Sequence, residues 1–179
     1  MIGKEEALAI IKLLSRTEKE SQLFKQYGLD ILLSLATLGL DVPFVESSIG
    51  INALKSLSNV LLLEQKLKAL LPRLEHFILE ALHPLPSMEC LFLMGRILFL
   101  LSVNNAVLCR TIRESHHPVV SHVIRHLIQS FDSKCSYETA LNPSTTLSEW
   151  LKLYYNLSLK ANLFGVPVES GNTEYVYDF

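Results

Sequence analysis

Leucine-rich stretches of this chain repeat their apolar positions at helical spacing. At 100° per residue, Leu54, Leu57, Ser58 and Leu61 share one face, with Lys55, Asn59 and Leu62 on the other. The same projection of EWLKLYYNLSLK puts Leu151, Tyr154, Tyr155 and Ser158 on an inner stripe and Lys152, Asn156 and Leu159 opposite. The pattern predicts helices at about 4–15, 20–39, 47–63, 65–81, 88–102, 104–115, 118–131 and 146–161. The separators fit physically. Asp41-Val42-Pro43 and His83-Pro84-Leu85-Pro86 each end a helix, because proline lacks a donor and clashes with the preceding turn. Pro118 suits the first turn of a new helix after His116-His117, and Ser144 or Thr145 can cap the helix that carries Glu149 and Trp150. Strand signals are weak, and 132–145 is the longest irregular stretch.

Three of these helices carry a cation followed four residues later by a second marked position: Lys55 and Asn59, Arg96 and Leu100, Lys152 and Asn156. The cations lie 41 and 56 residues apart, in the range of armadillo or HEAT units with a longer second connection. The expected fold is therefore all-α, an armadillo/HEAT-type α-solenoid in which stacked helices form a right-handed superhelix. Residues 1–164 read as one such domain, and 165–179 as a polar, acidic, glycine-broken tail. In a solenoid, equivalent faces of successive helices line up. Lys55, Arg96 and Lys152 would then form a basic ladder beside Asn59, Leu100 and Asn156, suited to an amphipathic helix or extended peptide with a carboxylate.

Composition narrows the function. The 179 residues are 49% hydrophobic with mean hydropathy +0.29, enough for a sizeable core. A formal charge of −2 and pI near 6.3 argue against nucleic acid, which needs concentrated Lys and Arg. Cys90, Cys109 and Cys135 are far apart, lack a C-x-x-C spacing and read as reduced thiols. The start has no secretory pattern, and charges interrupt the richest apolar stretch before it could span a membrane, so a cytoplasmic location is expected. His122 and His126 have metal-clamp spacing within the cluster that includes His116 and His117, but no carboxylate or cysteine is placed to complete a site. Ser115 and Ser121 lack a nucleophile elbow, and no phosphate-binding loop occurs. No cofactor and no covalent catalysis are expected, although an all-helical enzyme using the histidines is one alternative. Trp150, Tyr154, Tyr155, Phe92 and Phe99 fall at helical spacing and read as core.

At these same residues the chain resembles the synembryn family. ALKSLSNVLLL, FLMGRILFLLS and EWLKLYYNLSLK look like three helices of that family, in the same order and over about 47–160. The resemblance implies an armadillo-type protein acting as folding chaperone and guanine-nucleotide exchange factor for heterotrimeric G-protein α subunits. It implies that the groove receives the C-terminal helix of Gα, which ends in apolar side chains and a carboxylate. Asn59 and Arg96 match groove positions with Phe99 nearby, while Lys55, Leu100, Lys152 and Asn156 extend the set by helical geometry. Any peripheral membrane location would come through Gα. The chain is shorter than a usual member and is expected to lack its later repeats, and Leu71-Pro72-Arg73 interrupts a helix. The competing reading is a generic armadillo/HEAT scaffold that binds another helix and has no G-protein role.

Overall fold

The computed structural model describes residues 6, 10–13, 28–36, 46–63, 74–132 and 142–163. Residues 65–73 of the helix expected at 65–81, much of the helices expected at 4–15 and 20–39, most of the 132–145 stretch, Cys135 and the tail 165–179 lie outside the described residues. Six helices organise the rest: α1 (Gly28–Leu35), α2 (Ser48–Leu63), α3 (Leu74–Glu80), α4 (Met88–Ser102), α5 (Ala106–Asp132) and α6 (Pro143–Leu163). Among the described residues there is no strand, as the helical spacing predicts. Much of the packing is between alternate helices. α1 lies on α2, α2 on α4, α4 on α6 and α6 on α5, so α4 is flanked by two helices of the repeated pattern.

α4 holds the centre of the core because it is apolar nearly all round. Cys90, Leu91, Met94, Ile97, Leu98 and Leu101 are buried together with Leu93 and Leu100, a distribution that suits a helix covered on more than one side. Its first turn is fixed locally: the Ser87 hydroxyl accepts from the Cys90 N–H at 3.3 Å, and the Ser87 N–H donates to Glu46 at 2.9 Å. The predicted inner face of α2 is buried at Leu54, Leu57, Ser58 and Leu61, while Leu62 is exposed.

Two expectations are corrected. The helices predicted at 104–115 and 118–131 are one helix, α5, with Pro118 inside it. Proline removes one N–H and strains the carbonyl four residues back, yet Glu114 and Pro118 both face solvent, where water can satisfy that carbonyl. The buried stripe of Ile112, Val120, Val123, Ile124 and Leu127 runs past the proline without a break in phase, and packing against α6 outweighs the local penalty. α6 starts at Pro143, earlier than expected. Its cap is Asn142, whose Oδ1 accepts from the Thr145 N–H at 2.9 Å, so neither Ser144 nor Thr145 takes that role. Pro143 then sits at the first helical position, where its missing donor is harmless.

The α4–α6 contact turns on Trp150. Its ring is fully buried, and its Nε1–H donates to the Leu91 carbonyl of α4 at 2.9 Å. Directly beside it, α4 presents Gly95, where an added Cβ would lie 2.6 Å from Nε1 and 2.8 Å from Cδ1 of the indole. The glycine is thus a seat for the ring, and it sets the inner stripe of α6 as Trp150, Leu153 and Leu157. That corrects the predicted stripe, since Leu151, Tyr155 and Ser158 are exposed.

Cys90 illustrates how two effects compete at a helix start. A helix N-terminus ordinarily favours a thiolate, but burial, then the nearby Glu46 and Glu89 carboxylates, push its pKa up to about 12. The Ser87 hydrogen bond and Lys55 pull the other way and lose. Cys109 is also buried and lies 3.5 Å from the Ser102 carbonyl.

Native Cys90 should therefore resist iodoacetamide at pH 8 and react only after unfolding. Fast labelling at Cys90 of the folded chain, mapped by peptide mass spectrometry, would contradict this placement. Gly95→Ala should lower stability by about 1–2 kcal/mol, because overpacking against a fixed indole outweighs the ~1 kcal/mol gain in helix propensity. Urea unfolding midpoints report the sign, and a stabilised variant would show that the ring can move.

Candidate functional site

On α4, Glu89, Phe92, Arg96 and Phe99 recur at helical spacing and are all only partly buried, so they form the stripe that α4 shows at the surface. Contacts from both neighbours reach this stripe. Lys55 of α2 forms an ion pair with Glu89, and the Lys152 ammonium of α6 stands 5.8 Å from the centre of the Phe99 ring. The exposed faces of α2, α4 and α6 therefore adjoin on one surface. Lys55 and Lys152 flank the two ends of the α4 stripe, with Arg96 between them. Asn59 follows Lys55 by one turn and is half-buried. Leu100 differs from the rest of the predicted set: only 9% of it is exposed, and it belongs to the core cluster.

The three cations are not equivalent. Lys55 is matched by Glu89, with both side chains about one third exposed, a geometry worth ~0–1 kcal/mol. Lys152 Nζ contacts Glu149 Oε1 at 2.7 Å, and that carboxylate is almost covered, so Lys152 is committed to neutralising it. Arg96 makes no ion pair among the described residues. It sits on the α4 stripe between Phe92 and Phe99. Arginine also offers a planar fork of donors that matches a carboxylate in two places.

Beside the α4 stripe, an open cleft of about 660 Å³ lies against α6, with Phe99, Leu147, Leu151, Tyr155, Lys152 and Asn156 in its wall. Three of the predicted residues, Phe99, Lys152 and Asn156, meet here. Lys55, Asn59, Arg96 and Leu100 do not line it. Asn156 is positioned by donating from Nδ2 to the Ser102 hydroxyl at 2.9 Å, and that hydroxyl donates in turn to the Phe99 carbonyl at 2.7 Å. The apolar wall was missed in the sequence. Leu147, Leu151, Tyr155 and Leu159 recur every fourth residue, a second apolar stripe on a helix whose other stripe is buried. Tyr155 is 62% exposed and Leu151 and Leu159 each 44%, an unusual concentration for one helix face. Glu89 and Glu149, the acidic partners of the two lysines, were also missed, although the Glu149/Lys152 spacing of three is itself a helical pairing signal.

The histidines lie elsewhere and do other things. The His116 ring is 6.0 Å from His76 of α3, and His117 is 6.2 Å from Tyr154 and 3.5 Å from the Ser121 hydroxyl. His122 and His126 face solvent. Among the described residues, no group of three or more His, Cys, Asp or Glu is gathered as a metal site would require. No described helix is long and apolar enough to cross a membrane.

α2, α4 and α6 thus share one surface, with a guanidinium that makes no ion pair among the described residues and an adjoining apolar cleft. Residues 7–164 match the family described as guanine nucleotide exchange factor synembryn. The match extends forty residues upstream of the 47–160 region marked by the three motifs. No curated protein and no solved structure is significantly similar to the chain. With most of its length matched and an all-helical fold, the chain belongs to the synembryn family of guanine nucleotide exchange factors, which act on G-protein α subunits.

Proposed function

We propose that this chain binds the C-terminal helix of a G-protein α subunit on the α2–α4–α6 face and so promotes guanine-nucleotide exchange, folding of the α subunit, or both. The observation that carries the reading is Arg96, a cation without an ion pair among the described residues, on an exposed stripe between two aromatic rings. A helix ending in apolar side chains and a carboxylate is complementary to it: the carboxylate meets the guanidinium, and the apolar side chains enter the cleft at Leu151, Tyr155 and Phe99. Asn59, Lys55, Lys152 and Asn156 frame the surface as positioning residues. Leu100 supports it from below.

Exchange needs no covalent step. A protein that binds Gα more tightly when its last helix is withdrawn shifts the population toward an opened nucleotide pocket, and GDP leaves; GTP binding restores the packed form. Holding a partly opened Gα is also what a folding chaperone does. Residues 1–164 act as one armadillo-like unit in this scheme, with α2, α4 and α6 as neighbouring rungs of a superhelix in the cytoplasm.

The test is titration of the purified chain with a fluorescent peptide copying the last ~18 residues of Gα, about five helical turns. Arg96→Glu should weaken binding by ~10–100-fold, the loss of a charge-assisted contact worth about 1.5–3 kcal/mol. Lys55→Glu should do less, because that lysine is already matched by Glu89. His122→Ala with His126→Ala should leave affinity unchanged. Saturable binding insensitive to Arg96→Glu would move the site off this face, and no binding to any Gα tail would favour a scaffold for a different helix.

A further inference from the structure

Glu149 is the one carboxylate among the described residues that the fold covers: the residue is 7% exposed, and 9% of its side chain is in reach of water. Lys152, one turn further along α6, is the only partner of that carboxylate among the described residues, at 2.7 Å. A covered carboxylate is costly unless paired, and exchanging a covered ion pair for neutral residues often leaves a protein no less stable. Stability alone therefore does not account for Glu149.

Its effect is felt at the cleft. Lys152 lines the α4–α6 cleft and Glu149 does not. The Lys152 ammonium, in contact with the carboxylate and 5.8 Å from the centre of the Phe99 ring, is fixed in the wall with its charge cancelled. The remaining lining residues are apolar or uncharged polar. An anion entering this cleft would give up its hydration and meet an ammonium already answered, so nothing would compensate it. An apolar side chain meets Leu147, Leu151 and Tyr155 at no such cost.

We propose that Glu149 determines the selectivity of the α4–α6 cleft: by neutralising Lys152 it makes the cleft reject acidic side chains and accept uncharged apolar ones. Because it acts through Lys152 and does not touch the occupant, it is a positioning residue. The charge rule stands on the ion pair and the cleft; that the occupant is the last helix of Gα rests on the reading given above. Within that reading the rule sets the direction of the bound helix. Its carboxylate gains nothing in the cleft and is left to Arg96, which lies outside the lining, while its apolar side chains fill the cleft. An unpaired lysine in the wall would hold the carboxylate there equally well and blur the direction.

Two measurements on the full chain separate the rule from the occupant. The first compares two dyes of one skeleton, neutral N-phenyl-1-naphthylamine and anionic 1-anilinonaphthalene-8-sulfonate. Glu149→Gln should tighten binding of the sulfonate ~10-fold, the gain from one partly exposed charge-assisted contact, and leave the neutral dye within about twofold. Glu149→Gln with Lys152→Met should return the sulfonate to its affinity for the unaltered chain. A loosened fold would raise both dyes in both variants, so it cannot produce this pattern. No gain for the sulfonate, an equal gain for both dyes, or a gain that survives Lys152→Met would overturn the proposal. The second compares the Gα-tail peptide with the same peptide carrying Asp in place of its last apolar residue. Glu149→Gln should narrow the affinity gap between them by ~10-fold. An unchanged gap alongside the expected dye pattern would overturn the direction of the bound helix. Binding of neither peptide by either chain would overturn the Gα reading, while the dyes would still decide the charge rule.

Discussion

A single close approach, the Trp150 indole lying on α4 at Gly95, governs how the two helices of the site are set against each other. The indole can sit there because glycine has no Cβ, and its N–H finds the Leu91 carbonyl at 2.9 Å once it does. Burying so large a ring with its one polar atom satisfied is a strong, specific anchor. From it the rest of the interface follows in register: Asn156 meets Ser102, Lys152 overhangs Phe99, and the cleft opens between them. A one-residue rotation of α6 would bury Leu151 and expose Trp150, and the cleft would not exist.

Charge on the same surface is distributed by pairing rather than by number. Three cations on three helices look like a uniform ladder in the sequence, but Glu89 and Glu149 answer two of them. Neutralised lysines still contribute their aliphatic stems and their place at the edge of the surface. Arg96, the residue with the most directional donors, makes no ion pair among the described residues. Pairing two of the three cations lowers the unselective attraction that three unmatched cations would exert on any acidic chain.

Much of this was legible in the sequence. The all-helical class, the buried face of α2 and the span of α4 follow from the spacing of leucines, because burial imposes a 3.6-residue period wherever one side of a helix is covered. The three marked helices and their order also carried the family. Local punctuation was less dependable. Pro118 has the chemistry of a helix start but lies inside α5, since its flanking buried stripe stays in phase and its own position faces water. Asn142 took the cap of α6 from Ser144 and Thr145 because Pro143 fits the first helical position so well.

By itself the sequence determined that the chain is helical, since that depends on periodicity within single segments. It did not decide the inward face of α6, because that helix carries two apolar stripes of nearly equal quality and only the seat at Gly95 on another helix selects between them. Nor did it decide which cation stays available, because Lys55 finds its partner 34 positions away on α4, and that neighbour exists only after the helices have packed. Leu100 went to the core and Tyr155 to the surface for the same reason: the faces of a helix covered on several sides are assigned by its neighbours, not by its own residues.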